Sequence, residues 1–385
     1  MNKRFVFTLL VIGVLISLTV APVFAAGVGP VNPLTPPPTA ETGEMIDETP
    51  SLWFVELASN PTADGTSLQT VRAEKAAFRA NAGRAGLVYT ERYAFDVLFN
   101  GFSISIDPSQ LAKLSRIPGV KNIYPVETIP MPATIQADPE LWTSLSMIGA
   151  DVVQSELGYT GAGIKVAVMD TGIDYDHQAL GGDGVVRLNS DHFPTARVAY
   201  GTDLVGDAFN ADPASPTYNP IPSPDPYPDD CYGHGTHVAG IIGANDPVTG
   251  LKGVAPEVTF GSYRVFGCVG STTADIMIYA MQLALADGMQ VLNMSIGSAY
   301  QWPQYPTAMA ANRLVNKGMV VVASIGNNGA NGLWSAGSPG LGDKVIGVAS
   351  YDNTNVFLPY LTVNGRNIGY VTMTYSPAPP TSGTY

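Results

Sequence analysis

The sequence predicts two bodies in tandem: a small α+β unit, then a larger α/β domain with a mostly parallel sheet covered by helices on both faces. Three observations carry this. From Ile148 onward, apolar runs of strand length alternate with helical segments, the pattern that gives parallel strands joined by crossover helices. Between Leu52 and Val126 the order is instead strand, helix, strand, strand, helix, strand, the ferredoxin-like split unit. A chain of 385 residues with 45% hydrophobic and only 13% charged residues can bury more than one sizeable core.

The chain opens with Lys3 and Arg4, the apolar stretch from Phe5 to Val20, and the small-residue site Val23-Phe24-Ala25. Residues 1–25 therefore read as a secretory signal, cut near Ala25 or Ala26. An uncut membrane anchor is the competing reading, but the stretch is slightly short for a span. No second spanning candidate follows, so the product is expected outside the cell or at its surface, with no membrane contact after signal removal. Residues 26–50, centred on Pro36-Pro37-Pro38, read as an extended linker without a core.

In the small unit, Leu52 to Leu57 is a strand and Ser67 to Ala82 a helix that breaks at Gly83. Leu87 to Tyr93 and Val97 to Ile106 alternate in character and read as strands. Asp107-Pro108 caps a short helix carrying Leu111, Leu114 and Ile117 on one stripe. Pro118-Gly119 ends it, and Val120 to Val126 closes the sheet. Residues 127–140 then form a proline-containing linker. In the large domain, strands are expected at Ile164–Met169, Val258–Phe266, Met289–Met294, Met319–Ala323 and Val345–Ala349. Helices are expected from His234, from Thr272 to Ala286 and from Pro306 to Lys317. The loop from Asp203 to Asp230 is dense in Pro and Asp. Its acids could hold a structural calcium, yet no spacing matches a known calcium loop, and a solvated insertion is expected. The net charge of −13 argues against a nucleic-acid partner, which needs clustered Lys and Arg.

The chemistry lies in two runs. Ile164 to Met169 ends in Asp170-Thr171-Gly172, and Gly233-His234-Gly235-Thr236-His237-Val238-Ala239-Gly240 begins with a histidine at a helix start. Ligand sites in parallel sheets form beyond the carboxyl ends of strands. Asp170 is placed there to accept the Nδ1 proton of His234, whose Nε2 can then act as general base and acid. One Asp-Thr-Gly is too few for an aspartic protease, which needs two. His234 and His237 lack a third ligand at zincin spacing, so no metal is expected, and His237 reads as a buried structural residue. Gly233 and Gly235 let the backbone turn around the base, and Ala239, Gly240 and Gly243 keep the helix thin. Downstream, Ser295-Ile296-Gly297 leaves a strand with an open edge to which an extended peptide can add. Gly326-Asn327-Asn328-Gly329 ends another strand, with Asn327 able to aim its amide at a developing oxyanion. Cys231 and Cys268 are the only cysteines. Export permits a disulfide between them, bracing the loop ahead of His234; two unpaired thiols is the alternative.

Asp170-Thr171-Gly172, His234 to Gly240 and Gly326 to Gly329 together resemble, in that order, three motifs of the subtilisin-like (S8) serine peptidases. Residues 51–130 resemble the I9-like inhibitory propeptide of that family. The resemblance implies a secreted serine endopeptidase with an Asp-His-Ser triad, made as a zymogen blocked by its own pro-segment. It implies no cofactor, and polypeptide substrates bound beside Phe266 and Ser295–Gly297. Cys231 and Cys268 with their surroundings look most like large secreted bacterial members, in which a protease-associated domain interrupts the catalytic domain. One motif departs. No Gly-Thr-Ser-Met-Ala segment follows Asn327, where the serines are Ser335, Ser338, Ser350, Ser376 and Ser382. Residues 140–385 are accordingly expected to be the amino-terminal part of a peptidase domain, cut before its nucleophile and inactive alone. The competing reading is a short chain that binds peptides or propeptides without cutting them.

Overall fold

The computed structural model describes residues 50–133, 141–185, 187, 192–355 and 358–370. The expected signal, the linker up to Thr49, and Ser376 and Ser382 lie outside the described residues.

The first unit contains β1 (Leu52–Leu57), α1 (Leu68–Arg84), β2 (Tyr89–Phe95), β3 (Gly101–Ile106), α2 (Leu111–Leu114) and β4 (Val120–Pro125). Its antiparallel sheet has the order β2-β3-β1-β4, as the split unit requires. Ser67 starts α1 by accepting the Thr70 N–H at 3.1 Å, an N-cap bond. Val71, Lys75, Phe78 and Ala82 form the buried stripe of that helix. Lys75 is tolerated there because its ammonium meets Asp96 at 2.7 Å and Asn100 Oδ1 at 2.9 Å. Two expected boundaries move. Helix α1 runs through Gly83 to Arg84, since one glycine near an exposed helix end costs only about 1 kcal/mol. Strand β3 begins at Gly101 rather than Val97 because the preceding turn buries Asn100, which donates to Glu74 and Ser59.

The second unit opens with two short helices the sequence did not announce, α3 (Leu141–Met147) and α4 (Ala150–Ser155). Then follow β6 (Lys165–Asp170), β7 (Val198–Asp203), α5 (His234–Gly243), β8 (Thr259–Arg264), β9 (Ser271–Thr273), α6 (Ala274–Ala286) and β10 (Val291–Met294). The series continues through α7 (Pro306–Asn316), β11 (Val320–Ser324) and β12 (Ile346–Val348) to a hairpin of β13 (Tyr360–Val363) and β14 (Arg366–Gly369). A parallel six-stranded sheet has the order β12-β11-β10-β6-β8-β7. Strand periodicity shows in β6: Ala167 and Met169 join the core under α6 and α7, while Val166 and Val168 join the core that includes Val238 and Ala239 of α5. Helices therefore cover both faces, and the strand reads as a continuous apolar run.

The sequence expectations need correction in three places. Strand β10 is interior, between β11 and β6, so it has no open edge along Val291–Met294. The segment after β7 is anchored rather than merely solvated: Phe209, Asn210 and Asp203 are buried. And the segment after β4 is not only linker. It forms β5 (Thr128–Pro130), which pairs antiparallel with β9 in the register Thr128 with Thr273 and Pro130 with Ser271.

The first unit has its own core of Val55, Leu57, Phe78, Phe102, Ile104 and Leu114. On the other side of its sheet Phe54 meets Phe99 and Tyr305, and Phe54, Phe95 and Phe99 belong to the same buried cluster as α6 and α7. Arg313 crosses this boundary, holding Asp64 at 2.7 Å and the Leu98 carbonyl at 2.9 Å. Because the large sheet is parallel, Asp170 and the segments leaving β8, β10 and β11 emerge at one edge, bringing Phe266, Ser295–Gly297 and Asn327 to the same end of the domain.

Candidate active site

Asp170 is the last residue of β6 and is fully buried. His234 is the first residue of α5. Their contact is direct: Asp170 Oδ1 lies 2.7 Å from His234 Nδ1 and also accepts the Thr171 N–H at 2.8 Å. Close backbone approach makes this possible. A Cβ on Gly235 would stand 2.1 Å from the Gly172 carbonyl oxygen, so the start of α5 can lie against the acid's loop only with glycine there. Gly233, at φ 103°, supplies the left-handed turn that enters the helix. Gly240 does not share this task, for nothing lies within 4 Å of its Cβ position. His237 is also not buried as expected; it faces solvent one turn along.

Electrostatics follow from burial and pairing. Burial pushes the Asp170 carboxyl up, opposed by the hydrogen bond and charge of His234. For His234, burial disfavours the imidazolium, but the Asp170 hydrogen bond and the charges of Asp170 and Asp230 outweigh it and set the imidazole above its ordinary range. For the pair, the imidazole's direction governs the chemistry: a proton taken at Nε2 leaves an imidazolium held by a buried carboxylate. Partial burial and the charge of His234 hold His237 low.

The loop ahead of His234 is tied down from behind. Cys231 and Cys268 form a disulfide with S–S 2.04 Å, linking that loop to the segment following β8. Arg264, buried at the end of β8, faces Asp203 at 3.1 Å and Asp207 at 2.8 Å, and donates to the Phe266 carbonyl at 3.0 Å. Phe266 is buried in the core with Ile129. Ile296 is buried, while Ser295 and Gly297 are half-buried; Ser298 bridges to Ser338. Asn327 is exposed just past β11, and its amide has no hydrogen-bond partner among the described residues.

Extended chain lies along β9. The Ala274 N–H donates to the Glu127 carbonyl at 3.0 Å, the Met131 N–H to the Gly270 carbonyl at 3.1 Å, and Tyr232, two residues before His234, donates its hydroxyl to the Pro132 carbonyl at 2.8 Å. Ile129 is 1% exposed between these bonds. Sequence reasoning missed β9 and Tyr232 as partners of this segment. The signal was available only in tertiary form, since Ser271-Thr272-Thr273 reads as a helix start.

Residues 161–379 match the family model described as Subtilase family.

This chain belongs to the subtilase family.

Residues 57–130 match the model described as Peptidase inhibitor I9. Minor extracellular protease Vpr of Bacillus subtilis is 34% identical over 294 residues, covering 74% of this chain and 33% of the relative. Subtilisin DY of Bacillus licheniformis is 34% identical over 213 residues, covering 54% and 64%. PIII-type proteinase of Lactococcus lactis subsp. cremoris is 31% identical over 303 residues, covering 71% and 15%. The chain thus spans less than two thirds of the length of each of these relatives. Among the described residues, no helix of this subtilase is long and apolar enough to cross a membrane.

Two serines following Asn327 are engaged away from the base. Ser335 Oγ donates to the Gly332 carbonyl, and Ser338 Oγ shares a hydrogen bond with Thr307 at 2.6 Å. Among the described residues, no serine hydroxyl is hydrogen-bonded to His234.

Proposed function

We propose that Asp170 and His234 are the acid and base of a secreted serine endopeptidase that cuts extended polypeptides. The observation that carries this reading is the 2.7 Å bond between the buried Asp170 and His234 Nδ1 at the carboxyl edge of the sheet. In the triad, His234 Nε2 takes the proton of a serine hydroxyl as that oxygen adds to the scissile carbonyl. It then returns the proton to the leaving amine, while Asp170 stabilises the imidazolium between the two steps. Asn327 contributes its amide to the oxyanion. The serine of this proposal lies outside the described residues.

The same reading makes residues 51–130 the inhibitory propeptide. Glu127 to Pro132 run antiparallel to β9 as a substrate would, adding a strand through backbone bonds, with Ile129 in the apolar subsite beside Phe266. Maturation should then cut past Pro132 and before Leu141. Labelling of the secreted, matured full-length product with a serine-directed fluorophosphonate tests the reading. A label that disappears in His234→Ala is the expected result, and absence of any label after propeptide removal would sink it. Amino-terminal sequencing that begins at Ala26 would contradict the zymogen part.

A further inference from the structure

Asp230, four residues before His234, is hydrogen-bonded to neither the acid nor the base, and its carboxylate accepts five hydrogen bonds. Oδ1 takes the Thr171 hydroxyl at 3.0 Å and the N–H groups of Tyr232 and Gly233 at 2.9 and 2.8 Å. Oδ2 takes the N–H and the hydroxyl of Thr236 at 2.9 and 2.6 Å. Both threonine hydroxyls are also acceptors: Thr171 Oγ1 receives the Gly235 N–H at 2.8 Å, and Thr236 Oγ1 receives the Asp174 N–H at 2.9 Å. A hydroxyl has a single proton. Each threonine hydroxyl thus accepts from an amide and gives its proton to Asp230.

The two relays cross. Thr171 belongs to the acid's loop and receives an amide from the base's helix; Thr236 belongs to the base's helix and receives an amide from the acid's loop. Both end on one carboxylate. We propose that Asp230 is a positioning residue, which fixes the distance and angle between Asp170 and His234 by clamping their two segments through Thr171 and Thr236. This rests on the reading of Asp170 and His234 as an acid–base pair. All five partners donate, so a side chain that presents acceptors at both ends suits the site. Asparagine would turn an NH2 group toward donors at one end or the other and break at least the contacts of that end.

The test reads the imidazole itself. The groups that face His234 electrostatically are Asp170, Asp230 and His237. In the full chain with 15N-labelled histidine, NMR follows the Nδ1 proton of His234 and the titration of its ring. Asp230→Asn should abolish or move upfield the resonance of the proton shared with Asp170 and shift the titration midpoint down. Thr171→Ala and Thr236→Ala, each lacking one relay, should do so in part. Circular dichroism confirms that the variants compared are folded. A resonance and midpoint unchanged from wild type in Asp230→Asn and both relay variants overturns the proposal; if Asp230→Asn does not fold, the relay variants decide it alone. Because this readout needs no nucleophile, it can succeed or fail separately from fluorophosphonate labelling.

Discussion

Replacing Ile129 by alanine isolates how strongly the segment after β4 is held on β9. Ile129 is 1% exposed and packs in the cluster that contains Phe266. Large-to-small changes of this kind cost about 2–5 kcal/mol, and the lower half of that range suits a side chain at a cleft whose walls can relax. A loss of about 2–3 kcal/mol is roughly 30- to 150-fold in an opening equilibrium, at about 1.4 kcal/mol per tenfold. The backbone bonds from Met131 to Gly270 and from Ala274 to Glu127 are untouched by the substitution, so they report the opening. Hydrogen exchange of peptides covering 127–133 and 270–276 in the full chain should accelerate by that factor, while the core of β6 and β10 keeps its protection. Unchanged exchange in both peptides would show that backbone pairing alone holds the segment, and would refute the assignment of Ile129 as its anchor.

Three more outcomes are expected. Arg264→Met strands Asp203, whose carboxyl burial already pushes up to about 6 despite the arginine; removing one partner of a buried pair costs about 3–5 kcal/mol. A raised carboxyl carries its stability below its unfolded value and loses it as pH rises through the folded one, so urea melts of the variant should show a large deficit at pH 8 and a smaller one at pH 5. An equal deficit at both would contradict this. The disulfide closes a separation of 37 residues, worth about 4 kcal/mol in chain entropy, so Cys231→Ala with Cys268→Ala should lower the melting temperature and loosen exchange at 230–236; an unaltered melt would count against it. In the full chain His234 should titrate above His237, since their shifts run in opposite directions. The His234 contribution to stability is then present below its unfolded value and lost as pH rises through the folded one. A reversed order of the two midpoints in NMR would contradict the pairing with Asp170.

What could be read from the sequence was what repeats or is chemically rare. Val166 to Met169 of β6 form an unbroken apolar run buried on both faces, and an acid ending such a run, followed by a glycine-flanked histidine, is unusual enough to mark Asp170 and His234. What could not be read was marginal in pattern or tertiary in cause. Strand β7, Val-Ala-Tyr-Gly-Thr-Asp, lies at the sheet edge, where one neighbour and a mixed face suffice. Strand β5 is three residues ending in proline, and only its pairing with β9 makes it a strand. Lys75 on an apolar stripe looks like an error until Asp96 and Asn100 are placed beside it. Asp230 looks like any acid in an acid-rich loop; its bonds to Tyr232, Gly233 and Thr236 are local, but the one from Thr171 is tertiary and has no signal in the sequence.

If the first unit is released as proposed, its aromatic face gives that release a time scale. Phe54, Phe95 and Phe99 do not rest on a wet surface but complete the core under Tyr305, α6 and α7. Severing the chain after Pro132 would leave that shared interior intact, so cutting and freeing are separate events. Departure of residues 51–130 must expose core to water at once, and its speed is set by a barrier rather than by an affinity. The measurable form is a lag between the appearance of the new amino terminus and the loss of the small unit, lengthening as that unit is made more stable. On the zymogen reading proposed above, the delay between cutting and release would be fixed by how slowly Phe54, Phe95 and Phe99 leave that core.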